Sequence, residues 1–181
     1  MFFKFCPMCG SDMEMRMAEF DHVERNACSK CKYVNYNNSR PTGTALIFNE
    51  QGQILLVKRA WHPFQGFWDT PGGFLEGGEH PEVGTKREMM EELGVEVELE
   101  GIFDIVMDEY KDGELESEEN VSGYGVPTMN IFYKARIVGG ELKKTEEIAG
   151  YQWFSLEEVA GMVDQIAFSA NRQVIQKLAQ G

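Results

Sequence analysis

The stretch that decides the reading is "GGFLEGGEHPEVGTKREMMEELGV", residues 72–95, in which six glutamates, six glycines and one arginine share twenty-four positions. Carboxylates a few ångströms apart repel one another and raise each other's pKa. These acids therefore form either a solvated helix face or a site that needs a cation. Pro81 suits the first position of a helix and Gly94 suits its stop, so a helix is expected over 81–93. At about 100° per residue, Glu88, Glu91 and Glu92 then share one face, while Met89 and Leu93 turn to the core. Taken alone, "REMMEELG" (87–94) suits a solvated face. Its surroundings favour the cation. The Gly72-Gly73 turn lets backbone carbonyls approach a metal, and Glu79 is spaced to tie the loop to Arg87. Hard oxygen donors at this spacing suit Mg²⁺ or Mn²⁺, which turns repulsion into attraction.

The composition agrees. In 181 residues, acids outnumber bases 30 to 17, for a net charge of −13. Phosphate-led nucleic-acid binding calls for the opposite sign, so no nucleic-acid partner is expected. A polyanionic small molecule fits only with divalent metal between it and the protein. The hydrophobic fraction, 43%, is ample for a core. No apolar run approaches the ~20 residues of a membrane span, so no membrane partner is expected. The start, "MFFKFCPMCG", lacks the form of a signal peptide, and a cytoplasmic protein is expected.

All four cysteines lie at the front: Cys6 and Cys9, then, after eighteen residues, Cys28 and Cys31. Two C-x2-C turns at this spacing can close a tetrahedron around zinc. About 40 residues cannot bury much core, and a structural Zn²⁺ would supply the missing folding energy. Paired disulfides and a redox dithiol are the alternatives, and a reducing compartment disfavours the first. His22, between the pairs, is expected on the surface.

The polar connector "NYNNSRPTG" (35–43) places a boundary between a ribbon, 1–40, and a larger domain, 41–181. "TALIF" and "QILLVKR" around "NEQGQ" predict a β-hairpin. Strands are expected at 95–107, 128–140 and 149–154, with a capping box at Ser155 and Glu158 and helices after it. The acidic segment 108–125 is expected to be a mobile loop. Mixed strands and helices without βαβ alternation make the class α+β.

The opening stretch resembles the Nudix box, G-x5-E-x7-R-E-U-x-E-E-x-G-U, where U is bulky and aliphatic. Gly73, Glu79, Arg87, Glu88, Met89, Glu91, Glu92, Gly94 and Val95 fill its nine specified positions, with methionine allowed as U. The likeness runs from about residue 42 to 160, taking in "GFWDTPGG" before the box and "YQWFSLEE" after it. It implies an α/β/α sandwich around a mixed sheet. It also implies Mg²⁺-dependent hydrolysis of a nucleoside diphosphate linked to another group, X. Glu88, Glu91, Glu92 and the Gly72 carbonyl would hold Mg²⁺ or Mn²⁺, and Arg87 would orient the glutamates. The general base would be Glu88, Glu147 (preferred), its neighbour Glu146, or Glu118 or Glu119 of the acidic segment. Gly84 departs from the alanine usual at its position.

A zinc ribbon before a Nudix domain resembles the NADH pyrophosphatases and a group often assigned to ADP-ribose. The "SQPWPFPxS" motif of the former is replaced here by "VELEGIFDIVMDEYKDG" (97–113). ADP-ribose, or another ADP-linked compound, split to AMP and a phosphorylated partner, is therefore the first expectation. Nucleoside triphosphates, oxidised ones included, come second, and a non-catalytic nucleotide sensor third. Phe64, Phe67, Tyr110 and Tyr124 are candidates for base stacking, and Trp68 for the core. The ribbon is expected to support a homodimer rather than recognition.

Overall fold

The computed structural model describes residues 3–17, 22–110 and 125–180, Tyr110 by its backbone alone. Glu118, Glu119, Tyr124 and most of the acidic segment lie outside the described residues. Two compact units divide the chain, Met1–Ser39 and Arg40–Gly181.

The first unit is a three-stranded antiparallel sheet of β1 (Met13–Met17), β2 (Glu24–Cys28) and β3 (Val34–Asn35), in that order. Each cysteine pair is followed by a left-handed residue, Gly10 (φ 72°) and Lys32 (φ 64°). These turns fold back on themselves, with Gly10 N donating to Cys6 O at 2.9 Å and Cys28 N to Tyr33 O at 2.7 Å. Among its described residues only Cys6, Asn26, Ala27 and Cys28 are buried, too few for a self-sufficient core.

The second unit is a sandwich. One sheet runs β7 (Gly72–Phe74), β4 (Arg40–Ile47), β9 (Val126–Gly140), β8 (Val95–Tyr110); β4 pairs parallel with β9, and the other pairs are antiparallel. The other runs β10 (Ile148–Phe154), β5 (Ile54–Arg59), β6 (Trp68–Asp69). Helix α1 (Pro81–Leu93) covers one side; α2 (Leu156–Gly161) and α3 (Ser169–Gln180) cover the other. Successive side chains on a strand point to opposite faces. Ala45, Ile47, Leu55 and Val57 accordingly join Met89 and Leu93 of α1. Leu46, Ile54 and Leu56 join Phe154, Val159, Val174 and Ile175. Strands buried on both faces read as unbroken apolar runs, which is why "TALIF" and "ILLV" show no alternation.

The expected hairpin is corrected. The turn forms, with Asn49 N donating to Gln53 O at 3.0 Å, but β4 and β5 enter different sheets and share only the bridge Phe48–Ile54. Both edges of β4 are taken by β7 and β9, and both edges of β5 by β6 and β10, so the strands splay after the turn. Trp68 packs edge-to-face on Phe154, ring centroids 5.0 Å apart, beside the α2/α3 core as expected.

Candidate active site

Helix α1 has clear local causes. His80 accepts the Glu82 N–H through Nδ1 at 3.3 Å, Pro81 opens the first turn, and Gly94 ends the helix in the left-handed region (φ 71°). Its buried face is Gly84, Thr85, Met89 and Leu93, which leaves the acids on the remaining surface.

Glycines bring the preceding strand against this helix. A Cβ at Gly73 would lie 2.6 Å from the Glu88 carboxylate. At Gly72 (φ 153°) it would lie 2.4 Å from the Gly43 carbonyl oxygen, which is backbone and cannot yield. A Cβ at Gly43 would meet Thr85 Oγ1 at 2.2 Å. The mid-helix Gly84 has the same explanation: its Cβ would stand 2.5 Å from Leu75 and 2.6 Å from the Glu79 carboxylate. The propensity cost of about 1 kcal/mol is the cost of seating the loop.

Arg87 organises the acids. Its Nε and Nη2 donate to the two oxygens of Glu79 at 3.0 and 3.1 Å. Its Nη1 donates to Glu88 at 2.8 Å and Glu91 at 2.7 Å, and Nη2 reaches the Phe74 carbonyl at 3.2 Å. Five N–H groups meet five acceptors. The Arg87 hydrogen bonds hold the Glu79 carboxyl below its usual range, and the Glu79 hydrogen bonds in turn raise Arg87.

The other carboxyls are pushed the opposite way. Burial raises Glu88 against the pull of Arg87, and the charges of Glu91 and Glu147 add to the rise. Burial pushes Glu92 up to about 8, opposed by the Gly72 N–H and reinforced by Asp69, Glu88 and Glu147. Burial likewise lifts Asp69 to about 6, opposed by Arg59. Two guanidiniums, Arg59 on Asp69 and Arg87 on Glu88 and Glu91, do not balance this set, and a divalent cation would.

Asp69, Glu88, Glu91, Glu92 and Glu147 line one cavity of about 510 Å³, while Glu79 stays behind Arg87 and off its wall. Gly72, Arg87, Glu88, Glu91, Glu92 and Glu147 are all on its wall, so the structure brings the expected residues together. The carboxylates do not close on a point. Among the described residues, the four cysteines are the one group of three or more His, Cys, Asp or Glu whose ligand atoms lie within 4.8 Å of one another. Mg²⁺ does not need a closed protein cage, because it keeps waters and takes substrate phosphate oxygens.

Several lining residues carry no sequence signal of their own. Asp69 accepts from Arg59 Nη1 at 2.9 Å, from Thr70 N at 2.9 Å, and from Asn171 Nδ2. Asn171 lies 102 residues away on α3, beyond any local pattern. Thr42 donates to Asn130 at 2.8 Å, its register partner across the parallel β4–β9 pair. Phe168 joins the wall and packs edge-to-face on Phe64 at 5.0 Å; Phe64 also packs on Phe67 at 5.6 Å. Of the two expected stacking residues in that cluster, both are engaged in packing and neither is on the cavity wall, which Phe168 and, from β7, Phe74 line. Asp108 caps α3, accepting from Ser169 Oγ at 2.7 Å and Ala170 N at 2.9 Å.

In the first unit, Sγ atoms pair at 3.5 Å for both Cys6–Cys31 and Cys9–Cys28, and all four cysteines are free of disulfides. Zn–S bonds of ~2.3 Å set sulfurs ~3.8 Å apart in a tetrahedron, so the cluster fits zinc. Backbone N–H groups of Lys30 and Cys31 point at Cys28 Sγ, both at 3.3 Å, as a thiolate prefers. His22 is exposed and outside the cluster.

Residues 38–178 match the family model described as NUDIX domain, and residues 4–37 match the zinc-ribbon model described as Nudix N-terminal. The chain belongs to the Nudix family. This Nudix chain is 29% identical over 158 residues to a protein of Pseudomonas aeruginosa named NAD-capped RNA hydrolase NudC, covering 85% of this chain and 48% of that one. It is 28% identical over 113 residues to an ADP-ribose pyrophosphatase of Methanocaldococcus jannaschii, covering 62% and 60%. It thus spans about half to three-fifths of the length of these curated relatives. A crystal structure of a NUDIX hydrolase from Nitrosomonas europaea shares the fold, with a TM-score of 0.76, 24% identity, and coverage of 98% of this chain and 91% of that one.

Proposed function

We propose that this Nudix protein is a divalent-metal-dependent pyrophosphohydrolase. Its substrate is ADP-ribose or a related ADP-linked diphosphate, which it splits to AMP and a phosphorylated partner. Residues 41–181 form the hydrolase domain and residues 1–40 the ribbon. The observation that carries this reading is the gathering of Gly72, Glu88, Glu91, Glu92 and Glu147 on one cavity wall, where burial pushes Glu88 and Glu92 up. A carboxylate set that is costly in isolation is suited to holding cations.

Glu88, Glu91, Glu92 and the Gly72 carbonyl would hold Mg²⁺ or Mn²⁺. When bound, such an ion neutralises the diphosphate and supplies a water acidic enough to attack phosphorus near neutral pH. Arg87 orients Glu88 and Glu91 and anchors the loop through Glu79. Glu147 accepts the proton from the attacking water, in the family's pattern of a carboxylate base. Glu146 and Glu147 both border a smaller pocket with Glu88 and Glu92, but only Glu147 also lines the 510 Å³ cavity, and its charge acts on both glutamates, which supports this choice over Glu146. The nucleoside end lies in the cavity against Phe168, within reach of Asp69, Asn171, Thr42 and Asn130. Cys6, Cys9, Cys28 and Cys31 hold a structural Zn²⁺. With four thiolates and no open position, that zinc takes no part in the reaction.

Among the described residues, no helix is long and apolar enough to cross a membrane. The unpaired cysteines support a reducing, cytoplasmic setting. The relative named for NAD-capped RNA keeps a nucleic-acid-linked substrate in view as a second reading. The net charge of −13 and six Lys/Arg against five Asp/Glu in residues 1–40 argue for a short nucleotide instead, with the ribbon serving dimerisation.

Incubation with Mg²⁺ and a panel of ADP-ribose, NADH, a NAD-capped RNA, diadenosine polyphosphates and dNTPs tests the reading. AMP from ADP-ribose is the expected result. Pyrophosphate released from dNTPs would support the triphosphate reading. Turnover of none would favour the nucleotide-sensor reading.

A further inference from the structure

The segment after β5 carries a tryptophan that burial does not explain. Trp61 is 63% exposed, yet its indole Nε1 donates to the Glu146 carbonyl oxygen at 2.6 Å across 85 residues of sequence. Its neighbour Ala60 donates its N–H to the Glu147 carbonyl at 2.9 Å. Two consecutive carbonyls of one loop are thus held by two consecutive residues of another. The β5–β10 ladder ends at Arg59–Ile148, beside a bulge between Ile148 and Gly150. Bulges increase local twist and re-aim side chains. Past the bulge, Ala60 continues the ladder by one step, and the indole stands in for the next main-chain donor.

Elsewhere that loop is tied near its start, where Lys143 N donates to Leu93 O at 2.9 Å and Tyr151 OH to Leu142 O at 3.2 Å. Glu141, Lys143, Lys144, Glu146 and Glu147 are all exposed, and such segments open at low free-energy cost. It also carries the one acid outside α1 whose charge acts on both Glu88 and Glu92, apart from Asp69 on the latter.

We infer that Trp61 is a positioning residue for Glu147: the indole latches the Glu146–Glu147 backbone, and so keeps the Glu147 carboxylate facing the box glutamates. This rests on the assignment of Glu147 as proton acceptor. A misplacement of ~1 Å in a reacting group is enough to lower a rate ~100-fold, which is what the latch prevents.

The test uses the full-length protein and Trp61→Phe, which keeps a ring and removes the N–H. Amide exchange at residues 145–148 is expected to rise roughly three- to tenfold, the effect of one lost hydrogen bond, with the rest of the molecule unchanged. With ADP-ribose and Mg²⁺, kcat is expected to fall by about tenfold at constant KM. In a Glu147→Gln background, Trp61→Phe should cost nothing further. Unchanged exchange at 145–148 overturns the latch whatever the role of Glu147. A rise in KM at constant kcat overturns it in favour of the ring stacking on a ligand. Equal fractional losses in both backgrounds overturn it too. Full kcat in Glu147→Gln removes the proton-acceptor assignment instead, and the latch then stands or falls on the exchange alone.

Discussion

Gly72 N donates to Glu92 Oε2 at 3.0 Å, joining the first residue of β7 to the last turn of α1. The contact depends on a backbone that only glycine adopts without strain, at φ 153° with the Gly43 carbonyl where a Cβ would be. Gly72→Ala is expected to lower stability by about 2 kcal/mol or more, read as a shift in the urea midpoint. Metal-dependent turnover should fall with it, since the same strand lines the cavity.

Arg87→Lys keeps the charge and loses the fork. A lysine cannot serve two oxygens of Glu79 in a plane while also reaching Glu88 and Glu91. Turnover is expected to fall roughly ten- to hundredfold, the usual cost of losing a residue that orients metal ligands. Circular dichroism should show the helix intact. Wild-type turnover in this variant would remove Arg87 from the role of orienting residue.

Proton linkage gives a third expectation. Glu92 titrates at about 8 and Asp69 at about 6 in the folded chain, both above their unfolded values of ~4. The folded state therefore binds more protons than the unfolded one between these limits. What these two groups contribute to stability is fully present below pH ~4 and is lost as pH rises through 6 and then 8. Without metal, Glu92→Gln should gain on wild type as pH climbs from 5 to 8.5, measured by urea unfolding in EDTA. With metal the sign reverses: ions bind the ionised carboxylate, so Mg²⁺ affinity should climb with pH up to about 8 and binding should release a proton. Calorimetry in buffers of different ionisation enthalpy measures that proton.

For the ribbon, about one zinc per chain is expected by metal analysis, lost in Cys28→Ser. The few buried residues of this unit mean that its folding should go with the ion. Far-ultraviolet and limited-proteolysis signals should change over residues 1–39, while residues 40–181 keep their unfolding midpoint. Retained order without zinc would show that the small sheet stands alone.

Much of the local architecture was legible in the residues. Pro81 and Gly94 mark α1, and the Ser155–Glu158 box is made, with Ser155 N donating to Glu158 at 2.7 Å and Glu158 N to Ser155 Oγ at 3.2 Å. These features depend on neighbours within one turn. What escaped depends on long-range register. Nothing near "TALIF" or "QILLVKR" says that the two strands belong to different sheets. Nothing near Asn171 says that it reaches Asp69, and nothing near Thr42 names Asn130. The helical stripe put Glu88, Glu91 and Glu92 on one face, but periodicity cannot give depth. The Glu91 side chain is 59% exposed while that of Glu88 is 14% exposed.

Arg87 leaves no hydrogen unspoken for. A guanidinium so fully occupied cannot also grasp incoming phosphates. Arg59, the second on that wall, already gives Nε to Pro63 O at 2.8 Å and Nη1 to Asp69 at 2.9 Å. In the proposed reaction most of the phosphate charge would then be met by whatever ions the medium provides. The protein should therefore be nearly blind to its own substrate in chelated solution, and its apparent affinity for the nucleotide should follow free Mg²⁺ rather than salt.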